Sequence, residues 1–134
     1  MIVAVTVDDG GGVLFNGRRQ SRDSVLNARI LSLCGGTLYV SPYTEKLFAD
    51  QTGVRILADE RFLEIAAPGD FCFSEGAPLV PYQNRIEKLI VYRWNRAYPS
   101  DRKLDLDVSA WKKVSETEFA GSSHEKITEE VYVP

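Results

Sequence analysis

The sequence predicts a three-layer α/β fold around a mixed sheet. Three observations predict it. Short β-rich runs alternate with helical segments through the first two thirds, which is the signature of parallel strands joined by crossovers. The last third holds consecutive strands, which implies antiparallel pairing at the end of the sheet. No repeat, low-complexity tract or linker divides the 134 residues, so residues 1–134 read as one domain.

Ile2–Val7 reads as a buried strand that ends at Asp8-Asp9-Gly10-Gly11-Gly12. Val13–Phe15 is a brief extended piece, and Asn16–Gln20 is a polar loop with Arg18 and Arg19. Ser21 is placed to cap a helix carrying Leu26, Ile30 and Leu33 at i, i+4 and i+7, with Asp23 in its first turn. Gly35-Gly36 stops that helix, and Thr37–Val40 follows as a strand. Ser41-Pro42 opens a second helix to about Asp50.

Val54–Leu57 reads as a strand, Asp59 caps a third helix through Ala66, and Asp70–Phe73 follows the Pro68-Gly69 turn as another strand. Pro78–Arg85 holds one helical turn or more. Leu89–Asn95 is the strongest strand. Trp111–Phe119 and Ile127–Val133 pair as a hairpin across Ala120–Glu125.

Composition narrows the function classes. Hydrophobic residues at 44% supply a core, and a net charge of -3 argues against a general nucleic-acid binder. Cys34 and Cys72 lie far apart with no CxxC spacing and read as buried free thiols. The apolar start, Ile2–Val7, is too short to cross a bilayer, and a cytoplasmic location is expected. No group of residues has metal-ligand spacing.

The order of strand, glycine loop, arginine loop, helix, strand and helix resembles dihydrofolate reductase across nearly the whole chain. The final run, Ile86–Arg96, Tyr98–Asp101, Asp105–Val108, Trp111–Ser115 and Glu129–Val133, resembles that family's carboxy-terminal end. The resemblance implies a reduced sheet of that type, since Asp50–Phe73 is short for the family. It places Asp23 near the acidic residue that holds the pterin, and Gly11 or Gly12 in the loop that closes over the nicotinamide. It places Tyr92 near a threonine that braces the acidic residue. Asp101 falls near an acidic turn, and Trp111 at a structural tryptophan.

The departures are as informative. Val40-Ser41-Pro42-Tyr43-Thr44 stands where the family has Gly-Arg-x-Thr, and Phe73-Ser74-Glu75-Gly76 where it has Gly-Gly. Leu14-Phe15-Asn16 replaces Leu-Pro-Trp. Glu75 puts negative charge where phosphates would sit. No folate reduction, weak or no NADPH binding and no other cofactor are expected. The chain is also similar to small bacterial proteins, some labelled ribonuclease Z. That chemistry needs several histidines around two zinc ions, and this chain has one, His124.

Each candidate site has a plain alternative. Arg18, Arg19 and Arg22 before a helix start suit a phosphate or carboxylate, or simply pair with Asp8, Asp9 or Asp23. Arg93, Asn95 and Arg96 leave the best strand where ligand crevices form, or are ion-paired to Asp101 or Glu75. Asp23 is explained as readily by the helix dipole as by the family match. Tyr39, Tyr43 and Tyr92 read as packing residues. Ser122-Ser123-His124-Glu125 groups a serine, a histidine and a carboxylate, although neighbours in sequence rarely form a nucleophile–base pair.

The leading expectation is a reductase-like scaffold binding a small anionic or nucleotide-like ligand through Arg18, Arg22, Asp23, Tyr92 and Arg93. Asp23 and His124 are the candidate catalytic residues. The rivals are a hydrolase or ribonuclease acting on a phosphoester through His124, Glu125 and an arginine, and an interaction module using the terminal hairpin.

Overall fold

The computed structural model describes residues 1–134. Its main sheet has seven strands in the order β5-β4-β6-β1-β7-β10-β9. These are β1 (Ile2–Val7), β4 (Thr37–Val40), β5 (Arg55–Ala58), β6 (Phe71–Phe73), β7 (Lys88–Arg93), β9 (Lys112–Phe119) and β10 (Ile127–Val133). Strands β5, β4, β6, β1 and β7 run parallel, while β10 pairs antiparallel with β7 and β9. The sheet is therefore mixed as expected, and its antiparallel part is the terminal hairpin.

Alternation along the central strands builds two cores. Val3, Val5 and Val7 of β1, with Leu89 and Val91 of β7, pack on Phe62, Leu63, Leu79, Ile86 and Leu106. The opposite face presents Ala4, Ile90, Tyr92 and Trp94 to the helix α1 (Ser24–Leu33). Each fully buried aliphatic chain contributes roughly 1.5–3 kcal/mol. The face of α1 differs from expectation: Leu26, Ile30 and Cys34 are buried, while Leu33 is turned out. Spacing of i, i+4 and i+8 keeps one stripe inward, and Cys34 takes the third place.

Three other local readings are corrected. Asp23, not Ser21, caps α1: its backbone is extended and its carboxylate accepts the Val25 and Leu26 amides. The second helix shortens to α2 (Pro42–Glu45) and a 3-10 turn at Lys46–Phe48. The third shrinks to α3 (Phe62–Ile65). Val80–Arg85 forms a 3-10 helix, in line with the helical turn expected there, with Pro81 in its first turn, where no amide is needed.

A second, small sheet in the order β3-β2-β8 joins β2 (Gly12–Phe15), β3 (Arg18–Arg19) and β8 (Arg102–Lys103). Its hairpin turns at Asn16 and Gly17 with φ of 52° and 70°. Both central residues are in the left-handed region, as a two-residue turn of type I′ requires. No helix is long and apolar enough to cross a membrane.

Candidate functional site

Three segments converge beyond the ends of the central strands: the approach to α1, the loop after β7, and the β9–β10 loop. At their meeting point the buried Asp23 carboxylate faces the buried His124 ring. Asp23 Oδ1 accepts from the amides of Val25 (3.0 Å), Leu26 (3.2 Å) and Ser122 (2.9 Å). Its Oδ2 takes the Ser123 amide at 2.8 Å and lies 3.1 Å from His124 Nδ1. Burial pushes the Asp23 pKa up, but the Ser122, Ser123, His124 and Leu26 donors outweigh it and hold it well below the usual carboxylate range.

The carboxylate is ionised and can only accept, so His124 Nδ1 carries a proton, and in the neutral ring Nε2 then offers a lone pair. Two hydroxyls reach that nitrogen: Tyr98 at 2.8 Å and Ser21 at 3.3 Å. Trp94 stacks on the imidazole with centroids 4.4 Å apart and planes 23° apart. Gly121 makes the approach possible, since a Cβ there would lie 2.3 Å from Asp23 Oδ2.

The five predicted ligand residues do not share a cavity. Arg18 lines an open cleft with Phe15, Asn16, Gln20 and Tyr98. Arg22 lies in a separate depression with Ser122 and Ser123. Asp23 is enclosed by its own donors. Tyr92 is buried and donates to Glu129 at 2.8 Å; burial, then Glu129, drives its pKa up. Glu129 in turn is held below its ordinary range by the Arg29 fork.

Arg93 pairs with Glu130 and projects, with Leu89 and Val91, from the face opposite Tyr92 and Trp94. Of the hydrolase candidates, His124 joins Asp23, whereas Glu125 lies exposed in a third cleft beside Arg96, Glu118 and Lys126. The other expected charge partners also change. Arg19 forms a fork with Glu75, with two bonds of 2.9 Å, and lies over the Tyr43 ring. Thr44 donates to the same carboxylate.

On the other core's side lies a cavity of about 120 Å³. Val5, Val13, Ala77, Leu79 and Leu104 supply its apolar walls, and Arg102, Lys103 and Asp105 its charges. Ser74 is part of the wall, is 2% exposed, and its hydroxyl has no hydrogen-bond partner. Arg102 is held by the Gly76 carbonyl at 2.9 Å. The Asp105 carboxylate accepts the amides of Leu79 and Val80.

Sequence reasoning missed Ser21, Tyr98 and Trp94 as partners of His124, and gave Ser74, Arg102 and Lys103 no role. The close run Trp94–Tyr98 after the strongest strand is the one signal for the first group. Nothing local marks the second, because a serine after a buried strand is ordinary.

No protein-family description and no curated protein matches the chain. Among solved structures it is similar to dihydrofolate reductase from Enterococcus faecalis, complexed with NADP(H) and RAB-propyl. Identity is 17%, the TM-score is 0.64, and the match covers 99% of this chain and 95% of that one. The ribonuclease Z label finds no support: the neighbour is a reductase, and no group of three or more His, Cys, Asp and Glu stands ready for a metal. At that identity and near-complete coverage the likeness concerns the path of the chain, and this protein has a dihydrofolate reductase-like fold.

Proposed function

We propose that the protein binds a small anion with an apolar body, such as an aromatic carboxylate, in the Ser74 cavity, and does not reduce folate. The unpartnered Ser74 hydroxyl carries this reading. A buried hydroxyl without a partner costs free energy that a ligand oxygen would recover. Apolar walls with a few convergent polar groups are the usual make-up of a ligand site. Lys103 and Arg102 at the rim favour negative charge. A void near 150 Å³ accepts one benzene ring, so about 120 Å³ open to the rim suits one ring or a short branched chain.

Two contacts support the absence of a dinucleotide. Asp105 already fills the amides of Leu79 and Val80, which a phosphate would otherwise approach. Leu14 covers Gly76 so closely that a Cβ there would lie 2.2 Å from its Cδ1. The residues around this cavity therefore do not fit a pyrophosphate.

A ligand of about nine heavy atoms at ~0.5 kcal/mol each binds near 0.5 mM, so the test needs a method suited to weak binding. Amide-resolved NMR titration with benzoate, short-chain carboxylates, nucleotides, folate and NADPH is expected to shift the Ser74–Leu79 and Arg102–Asp105 signals with a carboxylate. Ser74→Ala and Lys103→Ala are each expected to weaken that binding about three- to tenfold. No carboxylate response, or tight NADPH binding, would overturn the reading.

A further inference from the structure

The Ser122 and Ser123 amides dock the β9–β10 loop on Asp23, at 2.9 and 2.8 Å. The imidazole adds something different: a ring nitrogen whose lone pair is aimed at hydroxyls. Asp23 fixes the tautomer at Nδ1, Trp94 stacks against the ring and restrains it, and Nε2 receives Ser21 and Tyr98. Each ring nitrogen thus has the partner that nucleophilic catalysis requires, an orienting carboxylate on one side and a hydroxyl on the other. Ser21 is half-buried, and its neighbours Gln20 and Arg22 open on different surface clefts, so it stands on the ridge between them.

We propose that Ser21 and His124, positioned by Asp23, form a nucleophilic site that hydrolyses small carboxylic esters. Ser21 Oγ adds to the carbonyl carbon while its proton passes to His124 Nε2. The C–O bond to the leaving alcohol breaks as Nε2 returns that proton to it. Water then adds to the acyl-serine by the same route, releasing the acid and restoring the Ser21 hydroxyl. The amides of Ser24, Val25 and Leu26 are already used by Ser122 and Asp23, so they form no oxyanion hole. The exposed Arg22 guanidinium, next in the chain, is the group assigned to the developing negative oxygen. Tyr98 is the closer donor to Nε2 and damps the site, because it competes for the lone pair Ser21 needs.

The test is labelling of the full chain by a fluorophosphonate, with the adduct mapped by mass spectrometry and p-nitrophenyl acetate hydrolysis followed in parallel. Wild type is expected to carry one adduct, on Ser21. Tyr98→Phe is expected to label at least fivefold faster, and Ser21→Ala to lose both label and turnover. Asp23→Asn is expected to lower kcat on p-nitrophenyl acetate at least tenfold with KM little changed in the folded variant, a split that loop anchoring alone would not produce. Ser21→Ala and Tyr98→Phe leave the Asp23–His124 pair intact, and circular dichroism checks that both fold. Folded Tyr98→Phe with no adduct on Ser21, or an adduct on Tyr98 or another serine, overturns the proposal. This site shares no residue with the Ser74 cavity, so either reading can fail alone.

Discussion

Asp23 concentrates more donors than any helix cap needs, and that has a consequence for acid stability. Its folded pKa lies below its unfolded value of 3.8, so it stabilises the fold fully above that pH. The contribution is lost as pH falls from there through the depressed folded value. Glu129 and Glu130 are lowered as well, the first chiefly by Arg29, the second by Arg93, Tyr132 and Lys113 against the cost of burial. Comparing urea unfolding at pH 7 and pH 3 therefore isolates Asp23 only through a variant. Asp23→Asn is expected to cost about 2–4 kcal/mol at pH 7 and about 1 kcal/mol less at pH 3. An equal loss at both values would mean that the charge of Asp23 contributes nothing.

At the scale of elements, the β9–β10 loop and α1 are bound into one unit. Gly121 sits where any side chain would meet Asp23 Oδ2 at 2.3 Å and Ile127 Cδ1 at 3.0 Å. Gly121→Ala is expected to destabilise the protein by roughly 2–4 kcal/mol, read as a melting temperature lower by about 5–15 °C. A variant melting like wild type would show that the loop yields easily. This docking was hidden from the sequence, because Asp23 and Gly121 are distant along the chain and each has an ordinary local explanation. The strands were legible for the opposite reason: Ile2–Val7 and Leu89–Asn95 carry their apolar pattern within one run. Asn16-Gly17 was legible too, as a hairpin signal, but reading Asn16–Gln20 as a loop passed over it. Helices two and three were overestimated because start signals such as Ser41-Pro42 and Asp59 say where a helix begins and not how far it runs. The site suffered most, since Arg18, Arg22 and Arg93 were grouped by charge while the fold sends them to three separate places.

For the molecule as a whole, the question is what the sheet edges do. β5 and β9 are the two outer strands, and an unpaired edge invites a second chain. The free edge β9 carries Lys112, Lys113, Glu116 and Glu118, all exposed, with Lys113 bridging Glu116 and Glu130. A second copy would have to bring the same mixed charges into register and strip their water. Sedimentation velocity at 100 µM is accordingly expected to show a 15.0 kDa monomer. A stable dimer would favour the interaction-module alternative and point to this hairpin. Burial also makes Cys72 unreactive in the folded chain, with its thiol pushed up to about 12, so assembly through that residue is closed off.

The stacking of Trp94 on His124 gives the protein an intrinsic optical gauge. The two rings are 4.4 Å apart, so the emission of the indole senses how the imidazole sits against it. Trp111 is the other emitter, so replacing it with phenylalanine leaves a single lamp in the interior. Its emission then reports whether the imidazole keeps its place against the indole, without dye, tag or added reagent.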